Sequence, residues 1–278
     1  MWLAIDIGGT KTLLAVFNKD GEVREHVKFP TNHEYSLFLS ELKTTLANLQ
    51  HKDFDLAAVA SPGRIDYDKG VGLAYGNLPW KNVPLRETLH DLLGCPVLIE
   101  NDAKLAALSE ARHLGRGKYP KTLYITISTG IGGGLITNGI IDPFLADAEI
   151  GKMVLEHDGE MQEWEHFASG SAVVRRFGKM ASEIEDPAIW KLIARDISVG
   201  LIDVLAAYQP DIVILGGPVG GHLARYHPYL VHFLKEYASP LVSIPPIVQA
   251  HNPEQAVIYG GYELMKDHAR HRDKKGLI

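Results

Sequence analysis

Met1-Trp-Leu-Ala-Ile-Asp-Ile-Gly-Gly-Thr-Lys-Thr12 begins the sequence and continues as Leu13-Leu-Ala-Val-Phe17. An apolar strand runs into Asp6, a glycine pair and Thr-Lys-Thr, and a second apolar strand follows. Gly8 and Gly9 are expected to turn the chain with φ > 0 and to bring backbone N–H groups close to an anion; Thr10 and Thr12 add hydroxyl donors and Lys11 a charge. The stretch reads as a phosphate cradle in a β-hairpin. It also reads as a plain hairpin turn, because Gly-Gly between apolar runs is a common turn signal. Neither G-x-x-x-x-G-K-[ST] nor G-x-G-x-x-G is present, and a strand rather than a helix follows. Asp6, at the strand end, suits a magnesium ion held partly through water, since Mg²⁺ favours few carboxylates plus water and phosphate oxygens.

A second copy of the plan decides between the two readings. Leu123-Tyr-Ile-Thr-Ile-Ser-Thr-Gly-Ile-Gly-Gly-Gly-Leu-Ile-Thr137 is again strand, glycine-rich turn with hydroxyls, and strand, followed by a turn at Asn138-Gly139. Thr129, Gly130, Gly132 and Gly133 are its phosphate-facing candidates. Two such hairpins imply two similar halves, each offering a phosphate-binding turn to a shared cleft. Asp211-Ile-Val-Ile-Leu-Gly-Gly-Pro218 is a continuous apolar run of the kind buried on both faces of a sheet. Gly216 and Gly217 at its end would let an adenine lie against backbone, or would simply turn strand into helix.

The ordered set Asp6-Ile-Gly-Gly-Thr-Lys-Thr12, Glu100-Asn-Asp-Ala103, Ser128-Thr-Gly-Ile-Gly-Gly-Gly134, Ala148-Glu-Ile-Gly151, Phe167-Ala-Ser-Gly170 and Ile214-Leu-Gly-Gly217 resembles the repressor, open reading frame, kinase (ROK) family of the actin-like ATPase superfold. The resemblance spans nearly the whole chain. It implies an α/β fold of two lobes with duplicated βββαβα-type, ribonuclease H-like halves and an interlobe cleft. It implies further that ATP, with Mg²⁺, phosphorylates a hexose hydroxyl, usually at C6 as in a glucokinase.

Carried onto this sequence, the resemblance makes Asp102 the general base, since a carboxylate orients a sugar hydroxyl and takes its proton as phosphoryl transfer proceeds. Asn101-Asp102 is equally an ordinary helix N-cap by spacing. Asn101 would hydrogen-bond sugar hydroxyls as donor and acceptor. Gly63, in Ser61-Pro-Gly-Arg-Ile-Asp66, and Asn77, in Gly76-Asn-Leu-Pro-Trp80, are further sugar contacts or plain turn residues. Glu149 and Glu165 match two carboxylates that grip hydroxyls near the anomeric end; Glu165 could equally be one more charge on a solvated acidic face, Glu156 to Glu165.

The sequence departs from the family pattern after Glu149-Ile-Gly151. Lys152 stands where members have a histidine that ligates zinc and touches sugar, and the cysteine cluster that completes their zinc site is missing. A zinc site of soft and imidazole ligands cannot be assembled in this segment, and none is expected. Lys152 is expected beside Glu149 or Glu165 or as a donor to a sugar hydroxyl, with solvent as its other place. His157 and His166 are expected at the surface.

The chain has 278 residues and a formal charge of −6, which gives no basic footprint for nucleic acid. A chain this long buries roughly three quarters of its unfolded surface and usually forms two domains. Cys95 is its only cysteine, so no intramolecular disulfide forms, as suits a reducing compartment. No apolar span suits a membrane, no leader is legible, and the location expected is cytoplasmic. Relatives of this kind often pair as homodimers.

The predicted domains are residues 1–117 completed by a C-terminal helix at about 263–278, and residues 118–262. Gly115-Arg-Gly-Lys118 is the candidate boundary, and Gly260-Gly261 is a hinge or a packing site. Helices are predicted over Glu34–Leu49, Ala103–Leu114, Ala172–Ile184, Pro187–Tyr208, a segment ending at Tyr237, and Pro253–His268. A long loop with an irregular helix precedes the strand that leads to Asp102, and the tail His268–Lys275 reads as a frayed, solvated end. Sugar-responsive repressors of the same family carry an added N-terminal helix-turn-helix domain, which is not expected here with the hairpin at Met1. Fructose, mannose, N-acetylated hexosamines and a donor other than ATP stay open, as does a sugar sensor without turnover.

Overall fold

The computed structural model describes residues 1–275 and divides into two compact units, residues 1–109 with the chain from 255 onward, and residues 110–254. Residues 276–278, at the end of the predicted 263–278 helix, lie outside the described residues.

The first unit begins with β1 (Trp2–Ile7), β2 (Lys11–Phe17) and β3 (Val23–Pro30), then α1 (Tyr35–Asn48) and β4 (Leu56–Ser61). The segment expected as a long loop folds instead into a three-stranded antiparallel sheet, β5 (Arg64–Asp66), β6 (Val71–Ala74) and β7 (Lys81–Val83), followed by α2 (Leu85–Leu93). Strands of three or four residues are too short to show period-two alternation, so no pattern announced them. β8 (Val97–Asn101) then leads into α3 (Asp102–His113), whose last turn belongs to the second unit. The sheet order is β3-β2-β1-β4-β8, an antiparallel meander of three with two parallel strands added beside β1.

The second unit repeats this order as β11-β10-β9-β14-β15. Its strands are β9 (Lys121–Ile127), β10 (Ile131–Thr137), β11 (Ile140–Ile141), the separate hairpin β12 (Val154–His157) and β13 (Glu160–Glu163), then β14 (Ile212–Gly216) and β15 (Ile247–Gln249). Between β13 and β14 run α4 (Trp164–Ala168), α5 (Gly170–Phe177) and α6 (Pro187–Tyr208); α7 (Gly217–Gly220) and α8 (Leu223–Tyr237) follow β14. The helix predicted over Ala172–Ile184 is broken: Gly178 takes φ +67 and ends α5, and a short 3₁₀ turn follows at Ala181–Glu183. α6 matches its prediction, with Asp186 accepting from the Ala188 N–H and Pro187 in the first turn.

The chain returns to the first unit as α9 (Ala256–Lys275), which packs on β1 and β4. It continues helical through the tail predicted to fray. Gly260 is a packing position: a Cβ there would sit 2.0 Å from the Leu105 carbonyl oxygen, so glycine lets α9 lie directly on α3. Each unit has its own apolar core, one around Leu3, Ile5, Phe38 and Leu42, the other around Ile125, Trp190, Leu201 and Leu215. Among the described residues no helix is long and apolar enough to cross a membrane.

Candidate functional site

In the first unit the candidate residues gather at the C-terminal edge of the parallel strands, where open α/β sheets place ligands. Register aligns Asp6 with Ala60 and Ala60 with Glu100, so Asp102 begins α3 just past the same edge. Burial and the nearby Asp102 charge push the Asp6 carboxyl up to about 7, with Lys28 opposing. Burial also raises Asp102, against the Ala103 N–H, which donates to Asp102 Oδ1 at 2.8 Å. Two desolvated carboxylates, one of them raised by the other's charge, form a donor pair whose repulsion a divalent cation would relieve.

Asn101 is both the helix cap and part of this edge. Its Oδ1 accepts from the Lys104 N–H at 3.3 Å and its Nδ2 donates to the Gly63 carbonyl at 3.4 Å. Glu100 is buried and accepts from Tyr67 Oη at 2.6 Å and from the Asn101 N–H at 2.7 Å. Gly63 takes φ +85, and a Cβ would lie 2.1 Å from the Ala74 carbonyl, so glycine is required where the chain enters β5 against the end of β6.

The first glycine turn closes through the Gly8 N–H and the Lys11 carbonyl at 3.0 Å. Thr10 and Lys11 are exposed at it. Two expectations about this turn are corrected. Gly8 and Gly9 have no positive φ; a Cβ on Gly9 would instead lie 2.7 Å from Asn77 Cβ, so the glycine admits the Asn77 loop. Thr12 is wholly buried with its hydroxyl paired to Thr31 at 2.8 Å, because strand alternation turns it inward, and it offers no donor to a phosphate.

In the second unit the glycine turn stands beside an open cavity of about 600 Å³. Ser128, Thr129, Gly170, Arg175, Pro218 and His222 are among its walls. The turn is closed by the Ser128 N–H to the Gly130 carbonyl at 2.9 Å, and the Gly170 N–H donates to the Ser128 carbonyl at 2.7 Å, which fixes the start of α5 against it. Gly216 and Gly217 are not among the cavity walls. A Cβ on Gly216 would lie 2.2 Å from Tyr124 Oη, and Gly217, at φ +75, would meet the Ile127 carbonyl at 2.6 Å, so packing requires glycine at both, while Pro218 and Val219 line the cavity. Arg175, Met180 and His222 carried no motif by which the sequence could have announced them; Gly170 stood in the quoted Phe-Ala-Ser-Gly segment.

Lys152 joins this turn to the acidic segment. Its Nζ lies 2.5 Å from Glu165 Oε1 and 2.9 Å from Glu163 Oε2, and these carboxylates, Glu165 first, hold the ammonium above its ordinary range. Glu165 Oε2 accepts from the Ile131 N–H at 3.2 Å, and a Cβ on Gly130 would meet that same oxygen at 2.5 Å. Gly133 packs against Ile150, and Gly132 lies between them on β10. Glu149 is exposed and its carbonyl accepts from the Lys152 N–H at 3.0 Å. His166 is exposed, but His157, expected at the surface, is buried against Phe167 and Asp196. Among the described residues no group of three or more His, Cys, Asp or Glu side chains is arranged to hold a metal ion.

The chain matches the ROK family over residues 2–268. It is 26% identical to a glucokinase of Thermotoga maritima, covering 95% of this chain and 97% of the relative. It is 31% identical over 260 residues to an N-acetylmannosamine kinase of Vibrio vulnificus, covering 82% of this chain and 87% of the relative. Its fold superposes on a Streptomyces griseus ROK family glucokinase solved with glucose and AMPPNP, with a TM-score of 0.79 at 23% identity, covering 94% and 98% of the two chains. The match of nearly the whole chain, with the duplicated sheet order and both glycine turns in place, makes this protein a member of the ROK family.

Proposed function

We propose that the chain is an ATP-dependent sugar kinase that transfers the γ-phosphoryl group to a hexose hydroxyl, with Asp102 as general base. The observation that carries this reading is the Asp6–Asp102 pair at the C-terminal edge of the first sheet, beside a glycine turn. Asp102, half-buried and with a raised proton affinity, is suited to take a hydroxyl proton as the new P–O bond forms, since a base works best when its pKa approaches the working pH. Asn101 and Asn77 orient the sugar, and Asn101 keeps a lone pair and an N–H beyond its two bonds. Glu149, Glu165 and Lys152 hold the ring's other hydroxyls.

Thr10 and Lys11 on the first unit, and Thr129 with the backbone N–H groups around Gly130, Gly132 and Gly133 on the second, bind phosphates. The cavity beside Ser128 takes the nucleoside, its volume falling in the range of small-molecule sites. Asp6 would hold Mg²⁺ with water and phosphate oxygens completing the shell, and the ion would supply charge neutralisation along the transferring phosphoryl group. On this reading the working form is cytoplasmic and binds no nucleic acid, and a homodimer is compatible with it. An ADP-release screen with Mg-ATP and glucose, fructose, mannose, N-acetylglucosamine and N-acetylmannosamine tests the proposal. Sugar-dependent release in one arm supports it, and release in none overturns it.

A further inference from the structure

The β12–β13 hairpin belongs to neither five-stranded sheet. Two strands of four residues are marginal alone in water, so something else must hold the segment that leads into Glu163 and Glu165. The structure supplies it in one side chain on α6. Asp196 is buried, with 4% of its side chain exposed. Its Oδ1 accepts from His157 Nε2 at 3.0 Å, its Oδ2 from Arg176 Nη1 at 2.6 Å, and Arg195 adds Nε and Nη2 at 3.2 and 3.1 Å. The Asp196 backbone carbonyl accepts from Trp164 Nε1 at 3.4 Å. His157, the last residue of β12, stacks on Phe167 with ring centres 4.0 Å apart. Trp164, the first residue after β13, is fully buried, and its ring fills the space that glycine leaves at position 200. Both ends of the hairpin are thus tied to Asp196.

Glu165 directly follows Trp164, so its carboxylate is aimed by this anchorage, one oxygen at Lys152 and the other at the Ile131 N–H of the second glycine turn. We propose that Asp196 is a positioning residue that anchors the β12–β13 hairpin through His157 and Trp164 and thereby fixes the Glu165–Lys152 pair against the Gly130–Ile131 turn. Ordered groups that hold a contacting residue by hydrogen bonds and packing are what keep a site in productive geometry. As regards catalysis, the inference rests on the sugar-kinase reading above.

Asp196→Asn, Glu165→Gln and the double variant test it in the full chain. A residue acting through Glu165 gives non-additive losses: Asp196→Asn should lower kcat/KM for the sugar by about tenfold or more, and the double variant should be no slower than Glu165→Gln alone. Multiplying losses would overturn the proposal. Amide exchange supplies a readout independent of turnover: in Asp196→Asn the Val154–Glu163 amides and the Ile131 amide should lose protection while β9 and β14 keep theirs, and unchanged protection at these amides would overturn it. If Asp196→Asn does not fold, His157→Leu takes its place, with His157→Gln expected to restore part of the loss because its amide can still donate to Asp196. If no sugar is phosphorylated by the unmodified chain, the kinase reading fails, and the exchange arm alone decides the anchorage.

Discussion

The two glycine turns occupy the same place in two sheets of the same order, and they differ in what packs against them. In the first unit, Gly9 is closed against Asn77 and the neighbouring strand ends carry Asp6 and Asp102. In the second, Gly130 is closed against the Glu165 carboxylate, and the turn borders a cavity whose walls include Val174, Met180 and Pro218. The duplicated fold supplies the turn twice; the side chains around it set two desolvated acids near the first, and an ion-paired carboxylate and an open cavity beside the second.

The comparison breaks most sharply at Asp102, which has no acidic counterpart beside the second turn's cavity. Asp102→Asn should lower sugar-dependent ADP release on the order of 10²–10⁴-fold, with the fold retained and no loss of stability near neutral pH, because asparagine keeps the shape and the acceptor for the Ala103 N–H and removes a desolvated charge. Near-normal turnover would remove Asp102 as the base.

Next in size are the turns themselves. Gly9→Val must displace Asn77, so both nucleotide and sugar binding should weaken, whereas Gly130→Val must push Glu165 aside and loosen Lys152. Each should cost at least about tenfold in affinity, which is about 1.4 kcal/mol. Calorimetry with an ATP analogue and with sugar separately would show it, and unaltered nucleotide affinity in both variants would count against a two-turn site.

A smaller effect follows from protonation. Asp6 binds its proton more tightly folded, near 7, than its ordinary 3.8, so the folded chain holds more protons between those values and stability falls as pH rises across that window. The raised Asp102 carboxyl acts in the same direction. Asp6→Asn should flatten the decline in melting temperature between pH 4 and 7, with no comparable slope traceable to the second turn. An identical slope in the variant would mean that Asp6 does not carry it.

Lys152→Met should move sugar KM or sugar preference a few-fold and stability by less than about 1 kcal/mol, since the pair is half exposed and screened by solvent. Kinetics unchanged across the sugar panel would place Lys152 outside the site. The smallest effect expected is none: elemental analysis should find no stoichiometric zinc, and a chelator should leave the melting temperature where it was.

The sequence alone carried the duplication, both glycine turns, the buried strand Ile212–Gly216, the long helix Pro187–Tyr208 and the Glu-Asn-Asp segment. Each of these is a local signal, written in apolar periodicity, in glycine placed between strands or in a cap, and local signals survive without knowledge of what packs where. It also showed that Lys152 stands where a histidine was expected. The fate of individual side chains was not local. Thr12 sits in the phosphate motif yet points into the core, Gly216 and Gly217 make room for Tyr124 and the Ile127 carbonyl, and His157 leaves the acidic segment to reach Asp196, thirty-nine residues away. The tertiary structure decided these because a hydroxyl, a missing Cβ and an imidazole take their meaning from the nearest atoms, and those atoms come from distant parts of the chain.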